Sequence, residues 1–228
     1  MHVVLEKMTK TLADEIKERA LEKRPFTSEE INRFGLQIVK GLLHLQELRT
    51  WHQDLKPSNI LIDKEGTYKL ADFGGSKAMI GTTKSAPSIV KSDFFAAPEI
   101  EKAWLEGSLA KLPFKDLIAS DVYSLGKVLQ CMVSLSPTPE RLDSAALEVP
   151  YRNLISGMIS ELASKRLSLA MIQDELIKLR GSNFTESEEN KRQDERFFNR
   201  SPGNVKRSTI EKDDPLTTET ERNEELKN

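Results

Sequence analysis

Cysteine is almost missing from this chain. Cys131 is the only one, so no disulfide can form within it, and the apolar stretch from Val128 to Val133 marks that residue as a small buried hydrophobe. This usage fits a reducing compartment, and an intracellular, cytoplasmic protein is expected. An excess of charge of one sign is also lacking. The formal net charge is −2, so no global basic field points to nucleic acid or to an anionic membrane surface. No apolar run approaches the roughly 20 residues that a membrane span needs. The opening M-H-V-V-L-E-K-M-T-K has neither the apolar region nor the cleavage site of a signal peptide. No internal repeat is visible. What is present is 228 residues, 38% apolar and 31% charged, the composition of a soluble protein with one large domain or two small ones.

Along the chain, Val3-Val4-Leu5 reads as a short buried strand, and a helix is expected after Thr11, with Asp14 in its first turn. Pro25-Phe26 then breaks the chain. Thr27 and Glu30 have capping-box spacing, and Phe26 with Ile31 fits the hydrophobic staple, so a second, longer helix starts here. Its apolar face is Ile31, Phe34, Ile38, Leu42 and Leu45; His44 lies beside that face as a packed or solvated residue. Ile60 to Ile62 and Tyr68 to Ala71 read as strands joined by a turn at Lys64-Glu65-Gly66. Residues 74–94 have loop composition. From Leu117 to about Lys178 the pattern is helical, broken at Pro137, Pro139 and Pro150, with Met158, Ile159, Leu162, Leu167 and Leu169 as core. Past Gly181 aliphatic residues thin out and charges of both signs alternate, which predicts a disordered or weakly helical tail over 181–228. The glycosylation pattern Asn183-Phe184-Thr185 would go unused in an intracellular chain.

Between the long helix and the first strand of the pair lies W-H-Q-D-L-K-P-S-N, Trp51 to Asn59. It places an acid, Asp54, a cation, Lys56, and an amide, Asn59, on one loop stiffened by Pro57. Such a set suits phosphoryl transfer: a carboxylate to accept a hydroxyl proton, an amide oxygen to face a metal, an ammonium to neutralise a moving phosphoryl group. Taken alone, the same residues also fit a polar surface turn.

The loop resembles the catalytic loop of the protein kinases, H-R-D-L-x-x-x-N. Three further motifs follow in the family's order: Asp72-Phe73-Gly74, Ala97-Pro98-Glu99, and Ser120-Asp121-Val122-Tyr123-Ser124-Leu125-Gly126. The resemblance covers about residues 3 to 180. It implies an α+β, mainly helical fold like the kinase C-terminal lobe, with short strands around the catalytic loop, and a kinase-like domain over 1–180. It also implies ATP and Mg²⁺ as cofactors and a protein substrate. Asp54 would orient the acceptor, Lys56 would stabilise charge, and Asn59 with Asp72 would hold magnesium. Asp121 would accept hydrogen bonds from the catalytic-loop backbone, and Arg166 would pair with Glu99. Glu6 and Met8 resemble the hinge that holds adenine, with Leu61 as the floor beneath it. Ser92 takes the place of the threonine that bonds the catalytic aspartate and lysine, and Lys56 is the residue type of the serine/threonine branch.

Two departures qualify what the resemblance implies. Gln53 stands where the family's motif has arginine, so a phosphate on Thr82, Thr83, Ser85 or Ser88 would lack its usual charged partner. No G-x-G-x-x-G occurs and no V-A-x-K precedes Leu5. The expectation is therefore a chain without the family's upper lobe, weak or inactive by itself, its roof missing or supplied by a partner chain. A protein-binding module without catalysis and a small-molecule phosphotransferase of kinase-like fold are the alternative readings.

Overall fold

The computed structural model describes residues 6–73, 94–139 and 149–180, of residue 149 only the backbone. All of them belong to one compact unit, residues 1–188. The expected strand at Val3–Leu5, the loop residues 74–93 with Ser92, and the tail lie outside the described residues. In chain order the elements are β1 (Lys10–Thr11), α1 (Leu12–Glu22), α2 (Ser28–Glu47), β2 (Ile60–Ile62), β3 (Tyr68–Leu70), α3 (Pro98–Leu105), α4 (Phe114–Ser134) and α5 (Val149–Met158). A sixth helix, α6, covers residues 169–180. The fold is thus mainly helical with a small antiparallel sheet, ordered β1-β2-β3. Among the described residues no helix is long and apolar enough to cross a membrane.

Both early helices start as their sequences dictate. Thr11 and Asp14 cap α1 reciprocally, as Thr27 and Glu30 cap α2, each box satisfying donors that the first helical turn leaves open. Ile31, Phe34, Ile38 and Leu42 are buried on α2, and the Phe34 ring meets Tyr68 of β3 edge-on at 5.1 Å. Each such side chain stabilises by about 1.5–3 kcal/mol when fully buried. Across the core α4 contributes Leu125, Val128 and Leu129, α5 contributes Tyr151, Ile155 and Met158, and α6 contributes Ile172 and Leu176. His44 is exposed, and Cys131 is fully buried.

The structure differs from the sequence reading at four places. Helix α4 begins at Phe114, not Leu117, because Pro113 in extended conformation serves as its N-cap. Pro150 does not break a helix. It lies in the first turn of α5, where proline's missing N–H costs nothing. Leu162 is 62% exposed, not core, since it precedes the short 3₁₀ turn Ala163–Lys165 beyond the end of α5. Finally, β1 has no apolar pattern of its own; Lys10 and Thr11 are a strand because they pair with Ile62 and Leu61.

Candidate active site

The loop between α2 and β2 is fixed from below by Asp121 of α4. This carboxylate is buried and accepts the backbone N–H of His52 at 2.7 Å and of Gln53 at 3.1 Å. Burial pushes its carboxyl up to about 7, while the two N–H donors pull it the other way. Gln53 adopts a left-handed conformation, φ 73°. A residue other than glycine held there costs on the order of 1–3 kcal/mol, tolerated where the surroundings over-determine it.

Above this anchor the side chains of Asp54, Lys56 and Asn59 converge. Lys56 Nζ donates to Asp54 Oδ2 at 2.7 Å. Asn59 Nδ2 donates to the same oxygen at 2.9 Å and to the Asp54 carbonyl at 2.7 Å. Asn59 is buried, on the 3₁₀ turn that Pro57 opens; its N–H closes that turn onto the Lys56 carbonyl at 3.0 Å. Asp54 and Lys56 are only partly buried, their side chains 17% and 22% exposed, so both can be reached from outside.

Asp72 is brought to this group through its neighbour. The Ala71 N–H donates to the Asn59 carbonyl at 2.9 Å, and the Ala71 carbonyl is 3.1 Å from His52 Nε2. A carbonyl only accepts, so Nε2 carries the proton. His52 is fully buried, which lowers its pKa and keeps the ring neutral. Its ring lies 5.4 Å from that of Phe73. One residue beyond the tie, Asp72 is exposed and held at φ 60°, a second left-handed residue in the site.

The remaining expected residues are placed as follows. Leu61 is half-buried on β2, on the opposite face from the buried Ile60 and Ile62. Thr9 N–H donates to the Ile62 carbonyl at 2.8 Å, and Glu6 forms an ion pair with Lys69, so the segment carrying Glu6 and Met8 runs beside the end of β2. Glu6 is exposed and Met8 half-buried. On the far side, Arg166 makes a two-pronged pair with Glu99 at 2.6 and 2.7 Å and also donates to the Ala119 and Ser160 carbonyls. This joins the start of α3 to α4 and to the turn after α5.

Three positioning contacts escaped the sequence reading. Ser124 Oγ donates to the Phe95 carbonyl at 2.8 Å, and Gln37 Oε1 accepts the Tyr68 N–H at 2.8 Å. A polar residue on a helix reads as solvated unless its partner is seen. Arg19 bonds Glu15 and Glu30; its spacing of four from Glu15 was a usable signal.

A mainly helical core, a short sheet and a loop where Lys56 and Asn59 meet on Asp54 define a protein kinase C-terminal lobe. The chain belongs to the protein kinase family: the model of the protein kinase domain matches residues 1–177. Mitogen-activated protein kinase kinase 9 of Arabidopsis thaliana is 33% identical over 125 residues, 53% of this chain and 39% of that protein. Cyclin-dependent kinase F-3 of Oryza sativa subsp. japonica is 34% identical over 134 residues, 59% and 28%. Ribosomal protein S6 kinase 2 beta of Xenopus laevis is 43% identical over 75 residues, 33% and 12%. The aligned part is thus well under half the length of each of these relatives.

Proposed function

We propose that the chain carries the phosphoryl-transfer residues of a serine/threonine protein kinase, acting on ATP and a protein hydroxyl. The observation that carries this reading is the meeting of Lys56 Nζ and Asn59 Nδ2 on Asp54 Oδ2, at 2.7 and 2.9 Å. Two donors on one oxygen fix the orientation of a carboxylate that would then receive the hydrogen bond of an incoming hydroxyl. A base placed in this way contributes about 10²–10⁴ in rate. Lys56, once a phosphoryl group arrives, turns its charge to the transferring oxygens.

The donor set fits magnesium. With its amide nitrogen committed to Asp54, Asn59 has its amide oxygen to offer, and Asp72 presents an exposed carboxylate; both are hard oxygen ligands. Mg²⁺ bound by Asn59 and Asp72 would neutralise charge on the phosphate oxygens. Leu61 would lie under the adenine, with the Glu6 carbonyl and the Met8 amide at its edge. Ser92 would bond Asp54 and Lys56.

The test is a degenerate peptide library incubated with Mg²⁺, ATP and the longest natural chain that contains these residues. Phosphoserine and phosphothreonine are expected. Phosphotyrosine as the only product would overturn the assignment made on Lys56. ATP binding without any phosphopeptide would favour the non-catalytic binding module.

A further inference from the structure

Gln53 stands where the family's motif has arginine, and its side chain turns inward. The Nε2 is buried and has no hydrogen-bond partner. Around it is a small chamber, shared with Trp51, Ala96, Ala97, Ser120 and Ser124. Its volume of about 20 Å³ is room for one water, which needs at least about 10–15 Å³ and two to four polar partners.

The chamber's walls come from several parts of the fold. Trp51 and Gln53 belong to the catalytic loop, Ala96 and Ala97 precede α3, which adds Ile100, Leu109 lies in the turn before α4, and Ser120 and Ser124 lie on α4. Both serine hydroxyls have already spent their protons. Ser120 Oγ donates to the Leu117 carbonyl at 2.7 Å, and Ser124 Oγ to the carbonyls of Phe95 at 2.8 Å and Ser120 at 3.1 Å. Their oxygens retain lone pairs, so the residues lining the chamber supply the two N–H donors of the Gln53 amide and two acceptors. A water accepts one hydrogen bond from the amide and donates to the two serine oxygens, which satisfies one of the amide's two N–H groups.

We propose that Gln53 binds a single structural water here, and that this water fastens α4 to the catalytic loop and, through the Ser124 hydroxyl on the Phe95 carbonyl, the segment ahead of α3 as well. Gln53 is then a positioning residue. It ties the segment ahead of α3 to the loop that carries Asp54 by neutral hydrogen bonds.

The test compares the wild type with Gln53→Met, which keeps the length and removes the amide, and Gln53→Asn, which keeps the amide. The readout is hydrogen exchange at the Ile100 and Glu101 amides, which donate to the Ala97 carbonyl at 2.9 and 3.1 Å. Gln53→Met should speed their exchange about tenfold, the equivalent of one hydrogen bond lost from the local opening equilibrium. Core amides of α2 should be unchanged, and Gln53→Asn should restore part of the protection. Exchange in Gln53→Met equal to or slower than in the wild type would overturn the proposal, because removing an unbonded buried amide is neutral or stabilising. A high-resolution crystal structure of the wild type decides independently of any variant: a water within hydrogen-bond distance of Nε2 is expected, and a dry chamber is the contrary result. Neither measurement needs turnover, so failure here leaves the phosphoryl-transfer reading standing.

Discussion

Lys56 and Asn59 reach one oxygen of Asp54 from two sides, and the loop that presents them is held by a carboxylate beneath it. Stability rests in part on another charged residue, Glu30. Its carboxyl accepts two hydrogen bonds from Arg19, at 2.9 and 2.5 Å, and one from the Thr27 N–H at 2.8 Å. The Arg19 bonds chiefly hold its pKa down at about 2, against an ordinary 4.5. Unscreened, that difference amounts to about 3 kcal/mol, and the partial exposure of the side chain reduces it to about 1–2. A lowered carboxylate pKa stabilises above the unfolded value and loses that contribution as pH falls toward the folded one. Glu30→Gln keeps the capping acceptor and removes only the charge. The variant should melt below the wild type at pH 7, with the gap narrowing below pH 4.5 and more than half gone by pH 3. A gap that stays constant from pH 7 to pH 3 would show that the charge contributes nothing.

Among the described glycines, Gly126 of α4 leaves the least room for a side chain. A Cβ on Gly126 would come within 2.6 Å of Ile159 Cγ2 and 3.0 Å of Met158 Cβ, so α5 can lie against α4 only because that atom is absent. Replacing glycine by alanine within a helix gains about 1 kcal/mol of propensity, while overpacking costs about 1–3. Gly126→Ala should therefore lose about 1 kcal/mol in urea unfolding, and Ile159→Ala in the same chain should relieve the clash. A stabilised Gly126→Ala variant would contradict the packing. The capping box of α2, and the start of α1 after Thr11 with Asp14 in its first turn, were readable from sequence because each is written within four residues. The start of α4, the placing of Pro150 in α5 and the pairing of β1 were not, because each depends on what lies across the fold. Leu162 was misread for the same reason: an apolar residue beside a core helix is buried only if the chain there turns inward.

At the scale of the whole molecule, the site is assembled by long-range ties whose ends are far apart in sequence. Asp121 holds His52 and Gln53, Arg166 holds Glu99, and Ala71 joins Asn59 to His52. The first two were legible from motif order alone, since Asp121 and Arg166 occupy positions that the family pattern assigns. The role of Ala71 was not, because it acts through its backbone and any residue type could serve. Gln53 was legible as a departure, but the chamber it faces is visible only in three dimensions. The central claim is that Asp54 acts on the acceptor hydroxyl while Asn59 and Asp72 serve the nucleotide's metal. It is tested most directly by single-turnover phosphoryl transfer in the longest natural chain carrying these residues, comparing wild type with Asp54→Asn, alongside Mg²⁺-dependent nucleotide affinity. The expected result is an unchanged nucleotide affinity with a transfer rate lowered about 10²–10⁴-fold. A transfer rate within a few-fold of wild type, with Mg²⁺-dependent affinity lost instead, would place Asp54 on the metal and contradict its assignment as the base.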